Sequence, residues 1–66
     1  MYYTATEGQQ YEATIAKTIS AAKRVASRRN PWAGVELSVA IKVHDGEFER
    51  FERVAKKRHG AWQDLV

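Results

Sequence analysis

Residues 35–43 constrain the fold of this 66-residue chain more than any other segment. Branched apolar side chains occupy every second position of the segment, and polar or small side chains lie between them. That period of two is typical of a strand with one buried and one exposed face. Asp45-Gly46 comes almost at once after the segment, and an Asp-Gly pair behind a strand predicts a tight hairpin turn. The chain is therefore expected to build an antiparallel sheet with a covering layer on one face.

A single helix is the expected covering layer. Residues 19–29 are rich in alanine, which favours a helix, and Thr18 before them can cap the free amides of the first turn. Asn30-Pro31 ends the helix, because the residue before proline disfavours helical geometry. The buried stripe of this helix is predicted to consist of Ile19, Ala22, Val25 and Ala26.

Two segments remain open between strand and helix. Residues 11–15 fit a second strand, but they also fit the start of the long helix, because Ile15 continues the helical spacing of the later apolar residues. Residues 47–57 fit a helix, yet the Asp-Gly turn favours a strand. In a regular strand Phe48 and Phe51 lie on opposite faces, unless a β-bulge intervenes.

Residues 2–6 and 61–65 complete the predicted sheet. The first segment is rich in tyrosine and threonine, and the second follows the turn signal His59-Gly60. We therefore expect one α+β domain over residues 1–66, in which one helix packs on an antiparallel sheet in the approximate order β-(β)-α-β-β-β. Its thin core is expected to draw on Trp32, Trp62, Phe51 and the tyrosines.

Composition favours binding over catalysis. A domain of this size buries only about 60% of its unfolded surface, which leaves no room for a deep pocket. The chain has no cysteine and only two histidines, which argues against a thiol nucleophile, a zinc knuckle or a histidine-only metal site. We expect no enzyme activity, no cofactor and no metal. No segment resembles a signal peptide or a membrane span, so a cytosolic protein is expected.

Basic residues carry the clearest functional signal, within a net charge of +3. The stretch from residue 17 to residue 29 contains five lysines or arginines and no acid. A second basic cluster covers residues 53–58. Two clusters of one sign favour an anionic partner, such as nucleic acid. A solvated helix face and a charged edge strand would explain the same pattern without any partner. The candidate contacts with a partner or with phosphate are Lys23, Arg24, Arg28, Arg29, Lys57 and Arg58.

Two aromatic residues are candidate contacts. Trp32 follows the proline in a loop, where its ring could stack on a base. Tyr3 adjoins Tyr2 in a strand, so the two rings point to opposite faces and one of them is expected to be exposed. Trp62 is expected in the core.

The helix and the segment behind it resemble a known family. The run Ala22-Lys23-Arg24-Val25-Ala26-Ser27, followed by Trp32, Gly34, Leu37 and Val39, is similar to the ninth family of type I-F anti-CRISPR proteins and to a wider set of small phage proteins. A looser likeness covers residues 54–64, through Val54-Ala55, Lys57, Gly60, Trp62 and Asp64.

The resemblance implies a non-enzymatic phage protein that acts in the cytoplasm of a host bacterium. Such proteins bind the backbone subunits of the crRNA-guided surveillance complex, where target DNA would hybridise, and promote loose DNA binding by that complex. The matching bases are Lys23 and Arg24, with Arg28 as a conservative match, whereas Arg29, Pro31 and residues 47–53 depart from the family. The alternatives are a small phage regulator that binds nucleic acid directly and an inhibitor of another host complex.

Overall fold

A computed structural model describes residues 1–32 and 34–65 as one helix and one five-stranded antiparallel sheet. This architecture confirms the predicted α+β class. The strands are β1 (Tyr2–Thr6), β2 (Glu12–Ala13), β3 (Leu37–Asp45), β4 (Phe48–Arg58) and β5 (Ala61–Asp64), and helix α1 (Ile19–Arg29) lies between β2 and β3.

The sheet has the order β2-β1-β3-β4-β5. The two longest strands are neighbours, with β3 at the centre of the sheet and β4 beside it. Two tight turns set this arrangement. Gly46 has a positive φ of 66° between β3 and β4, while His59 and Gly60 have φ values of 54° and 80° between β4 and β5. Positive φ values are typical of two-residue hairpin loops. The strand that was favoured for residues 47–57 is therefore confirmed, with β4 beginning at Phe48, after Glu47 in the turn, and ending at Arg58.

The helix begins where the sequence predicts. The Thr18 hydroxyl accepts a hydrogen bond of 3.1 Å from the Ala21 amide, and the Asn30 amide donates to the Ala26 carbonyl at the other end. Only Ala22 and Ala26 of the predicted stripe are fully buried, because alanines let the helix lie close to the sheet. The other two stripe residues are half-buried.

The core consists of small and β-branched side chains rather than aromatic rings. Its buried members include Ala16, Ala22, Ala26, Leu37, Val39, Ala40, Val54 and Ala55. The predicted aromatic core is wrong for Trp32, which is 74% exposed, and for Phe51, which is 40% exposed. Trp62 does pack against the core from the edge of the sheet. A helix held this close by alanines leaves little space for a large ring between the layers.

The β-bulge in β4 does not lie between Phe48 and Phe51, where it would put both rings on one face of the sheet. Val39 pairs with Ala55 and Ala40 pairs with Arg53, which leaves Val54 as the extra residue of β4. The register is continuous from there to the turn, so Phe51 lies on the face without the helix and Phe48 on the opposite face. The bulge instead turns both Val54 and Ala55 into buried positions.

The segment that the sequence left open is a short edge strand. Only Glu12 and Ala13 pair with β1, and the helix begins six residues later, at Ile19. Thr14 anchors this segment, because its buried hydroxyl donates to the Tyr2 carbonyl at 2.9 Å and accepts from the Ala16 amide. Ile15 is 96% exposed, so it belongs to neither apolar face that the sequence allowed.

Candidate anion-binding groove

The outer face of the helix and strand β5 form a shallow groove of about 440 Å³. Residues 23 and 27 are about one helical turn apart, as are residues 24 and 28, so all four share one helix face. The hairpin at His59-Gly60 returns β5 beside β4 and places Trp62 opposite Lys57. The groove, called the basic groove below, is lined by Lys23, Arg24, Ser27, Arg28 and Trp62.

Arg24 and Arg28 are the available charges of the basic groove. Both side chains are exposed, and neither makes a salt bridge or a side-chain hydrogen bond within the described ranges. The helix fixes their spacing, and each guanidinium presents five N–H donors in a planar fork. Two such groups side by side suit phosphate or carboxylate oxygens.

Lys23 lines the basic groove, and Lys57 contacts this lining through Ser27. The Lys23 ammonium lies 2.7 Å from an Asp64 carboxylate oxygen and 5.9 Å from the centre of the Trp62 ring. The Lys57 ammonium donates to the Ser27 hydroxyl at 3.4 Å. These two lysines join the helix to the sheet edge, and Asp64 partly neutralises the charge of Lys23.

Arg29 points away from the basic groove. Its guanidinium donates to the Thr4 hydroxyl at 2.9 Å and to the Ala13 carbonyl at 3.4 Å, and it lies 3.1 Å from Glu12. It therefore clamps the end of the helix onto β1 and β2, beside a polar cavity of about 460 Å³. The sequence placed Arg29 in one row with Arg24 and Arg28, but the structure separates it from them.

Arg58 lies on the other face of the sheet. Arg58 and Arg53 share the half-buried Glu36: a guanidinium nitrogen of each arginine lies 3.1 Å from one of its two carboxylate oxygens. Of the predicted contact residues, the structure therefore brings together Lys23, Arg24, Arg28 and Lys57, and separates Arg29 and Arg58 from them.

Tyr3 also lies on the helix-free face, in an aromatic cluster. Its ring meets Phe51 edge-on at 5.0 Å, and Tyr11 stacks on Phe51 at 4.6 Å. The Lys42 ammonium covers both Tyr3 and Phe51 at 5.2 and 5.6 Å. A hydrogen bond with Glu49 and the nearby Tyr3 phenol raise the pKa of Lys42 above its usual value. The rings of this cluster thus pack against neighbouring side chains, although Phe51 remains 40% exposed.

Trp32 is exposed on the loop behind the helix and does not line the basic groove. Its amide donates to the Asn30 side chain at 3.1 Å, which fixes the backbone but leaves the ring open to solvent. The groove residues that sequence reasoning missed are Ser27 and Trp62. The pairing of β4 with β5 was the available signal for Trp62, since it places that ring on the helix side.

Comparison with known proteins gives no match: no protein-family model, curated protein or solved structure is similar to this chain. Over residues 1–32 and 34–65, no three histidine, aspartate or glutamate side chains group together as a metal ion would require. In the same part of the chain no helix is long and apolar enough to cross a membrane.

Proposed function

We propose that this protein is a non-enzymatic, phage-encoded inhibitor that binds a host nucleic-acid-handling complex through the basic groove. The resemblance of the helix to type I-F anti-CRISPR proteins suggests the target, which is the crRNA-guided surveillance complex in the bacterial cytoplasm. The proposed effect is a block of target DNA hybridisation. Because its contacts are protein and phosphate, the function requires no cofactor.

The observation that carries this proposal is that Arg24 and Arg28 have no partner among residues 1–32 and 34–65. Arg24 and Arg28 lie on a helix that the sheet holds in place, so little backbone freedom is lost when they bind, and only the two side chains must be ordered. Arg53 and Arg58, by contrast, are both joined to the chain's own Glu36. Two arginines without a salt bridge, held on one helix face, favour binding of an external anion.

The surveillance complex offers such an anion in its guide RNA. A channel that binds DNA is itself basic, so a basic groove fits only where RNA phosphates or acidic side chains line that channel. The chain measures 37 × 23 × 20 Å. Its long dimension is similar to one turn of a duplex, about 34–36 Å. A body of this size on the guide would exclude a stretch of the target strand.

The same groove also supports a second candidate, a small regulator that binds free nucleic acid. Trp62 beside two arginines combines an aromatic ring with cationic groups, as in proteins that bind single strands. The two candidates differ in whether a protein partner is necessary, and an inhibitor of another host complex differs in which partner it is.

Binding to a purified type I-F surveillance complex tests the proposal. We expect the unchanged protein to bind the complex after nuclease treatment and to reduce interference in a plaque assay. The variant Arg24→Ala/Arg28→Ala should bind at least about tenfold more weakly, since each charged contact contributes roughly 1 kcal/mol or more. The control Lys17→Ala/Lys56→Ala removes the same charge outside the groove and should bind normally.

Three results would contradict parts of this account. Equal binding by both double variants would show that the groove is not the contact. Tight, salt-dependent binding to duplex DNA alone, with no affinity for the complex, would favour the direct regulator. Absence of binding to either probe would leave another host complex as the remaining target class and would reject the anti-CRISPR proposal.

A further inference from the structure

The first half of β4 has an uncovered outer edge. Strand β5 pairs only with the stretch from Ala55 to Arg58, whereas β3 pairs with nearly the whole of β4. Within the described part of the chain, no strand covers the outer edge of residues 48–53. Such an edge presents unpaired backbone N–H and C=O groups, which another strand can join.

The side chains of this edge are complementary to themselves. The order is Glu49-Arg50-Phe51-Glu52-Arg53. If two copies pair in antiparallel fashion about a two-fold axis through Phe51, then Phe51 faces its own copy, Arg50 faces Glu52 and Glu49 faces Arg53. Every charged residue of the segment then lies opposite a residue of the other sign, which stabilises a strand pair.

The faces of the sheet also agree with this register. Arg50 and Glu52 lie opposite Val43 and Ile41 of β3, on the helix side of the sheet, and Phe51 lies on the other side. A two-fold axis perpendicular to the sheet keeps these sides together. An axis through Arg50 would also keep them together, but it would place the two arginines opposite each other, and like charges in that position are destabilising.

Arg50 and Glu52 have no ion-pair partner among the described residues, although both are exposed. Their neighbours on the strand differ from them. Glu49 lies 3.4 Å from Lys42, and Arg53 lies 3.1 Å from Glu36. Of the four charged residues in this segment, the two without a partner in the described structure are thus the two that the register through Phe51 brings together.

We propose that the chain forms a two-fold symmetric dimer with a second copy of itself through residues 49–53 of β4. The dimer joins the two sheets into one and places both helices on the same side. Each copy uses its edge once, so the assembly closes as a dimer and does not extend. A single strand pair buries less than the roughly 1,200–2,000 Å² of a standard interface, so the dissociation constant of the dimer is expected in the high-micromolar range.

Sedimentation equilibrium of the full chain, from low-micromolar to millimolar concentration, tests this proposal. The unchanged protein should shift from monomer to dimer. Arg50→Glu and Glu52→Arg each place like charges opposite each other twice per dimer, and each should weaken self-association by about tenfold. The double variant Arg50→Glu/Glu52→Arg should restore it, because opposite charges again meet across the axis.

A mixture provides the most specific result. Arg50→Glu and Glu52→Arg, each monomeric alone, should form a heterodimer when mixed in equal amounts. Circular dichroism checks that each variant is folded. If a charge-reversal variant does not fold, the neutral variant at the same position, Arg50→Gln or Glu52→Gln, takes its place. A protein that stays monomeric at millimolar concentration, or a mixture and a double variant that both fail to restore association, would overturn the proposal.

Discussion

Both faces of the sheet carry basic side chains, but they hold them differently. On the helix-free face Arg53 and Arg58 share Glu36, and Lys42 lies beside Glu49 and over two aromatic rings. On the helix side, the guanidinium groups of Arg24 and Arg28 meet no carboxylate of the described chain. The first face uses these three cations to hold the chain together, whereas the helix leaves two of its own for a partner.

This difference shows that a count of charges cannot locate a binding surface. The carboxylate that pairs with a given cation is chosen by strand register and helix position, and both bring together residues that are far apart in the sequence. Glu36 reaches Arg53 and Arg58 across 17 and 22 residues. Whether a charge is available, rather than whether it is present, therefore decides where a partner binds. The variants below change either the structure that supports Arg24 and Arg28 or the pairing of other arginines.

The largest expected effect comes from the core that supports the groove. Leu37 is 1% exposed, and Leu37→Ala should lower the free energy of unfolding by about 2–5 kcal/mol, because it leaves a cavity under the helix. Val43→Ala, at a half-buried position on the hairpin, should cost less. Urea denaturation measures both. Similar losses for the two variants would mean that the helix does not depend on this part of the sheet.

A smaller effect is expected at the start of the helix. Thr18→Ala removes the hydroxyl that accepts from the Ala21 amide and should lower the free energy of unfolding by about 1 kcal/mol. Ser20→Ala, which removes an exposed hydroxyl from the helix itself, should leave stability unchanged or slightly increased. Thermal denaturation followed by circular dichroism compares the two. An equal response would show that the cap does not hold the helix that carries Arg24 and Arg28.

The smallest stability change, with the sharpest consequence for the comparison, is expected at Glu36. Glu36→Gln should cost less than about 1 kcal/mol, because both arginine partners of Glu36 are largely exposed to solvent. It should also free Arg53 and Arg58 and so increase affinity for a polyanion such as heparin about two- to fivefold. Glu7→Gln changes net charge equally but has no salt bridge to release in the described structure. The same gain in both variants would indicate that net charge, not pairing, controls binding.

Much of the fold follows from local sequence signals. Thr18 and Asn30-Pro31 bound the helix correctly, and Asp45-Gly46 and His59-Gly60 mark the two hairpins. The strands on either side of these turns could be predicted because tight turns act over a few residues. The predicted 35–43 strand is shifted to Leu37–Asp45, as strand ends depend on pairing with neighbours.

The remaining features depend on contacts that the sequence does not display. The bulge at Val54 follows from how β4 fits between β3 and β5, and the small core follows from how closely the alanines let the helix approach. Within the candidate site, helical spacing predicted that Arg24 and Arg28 share a face. It could not predict that Glu12 and Thr4 would draw Arg29 away, because the position of β1 and β2 beside the helix end is a property of the whole sheet.

Anions are expected to bind at the basic groove, where Arg24 and Arg28, unpaired among the described residues, lie beside Trp62. Nitrogen-15 NMR of the arginine Nε and tryptophan Nε1 groups tests this expectation most directly, with a short single-stranded DNA as the polyanion. The signals of Arg24, Arg28 and Trp62 should shift on titration, while those of Arg53 and Arg58 should stay in place. Shifts concentrated at Arg53 and Arg58, or spread evenly over all the arginines, would contradict it.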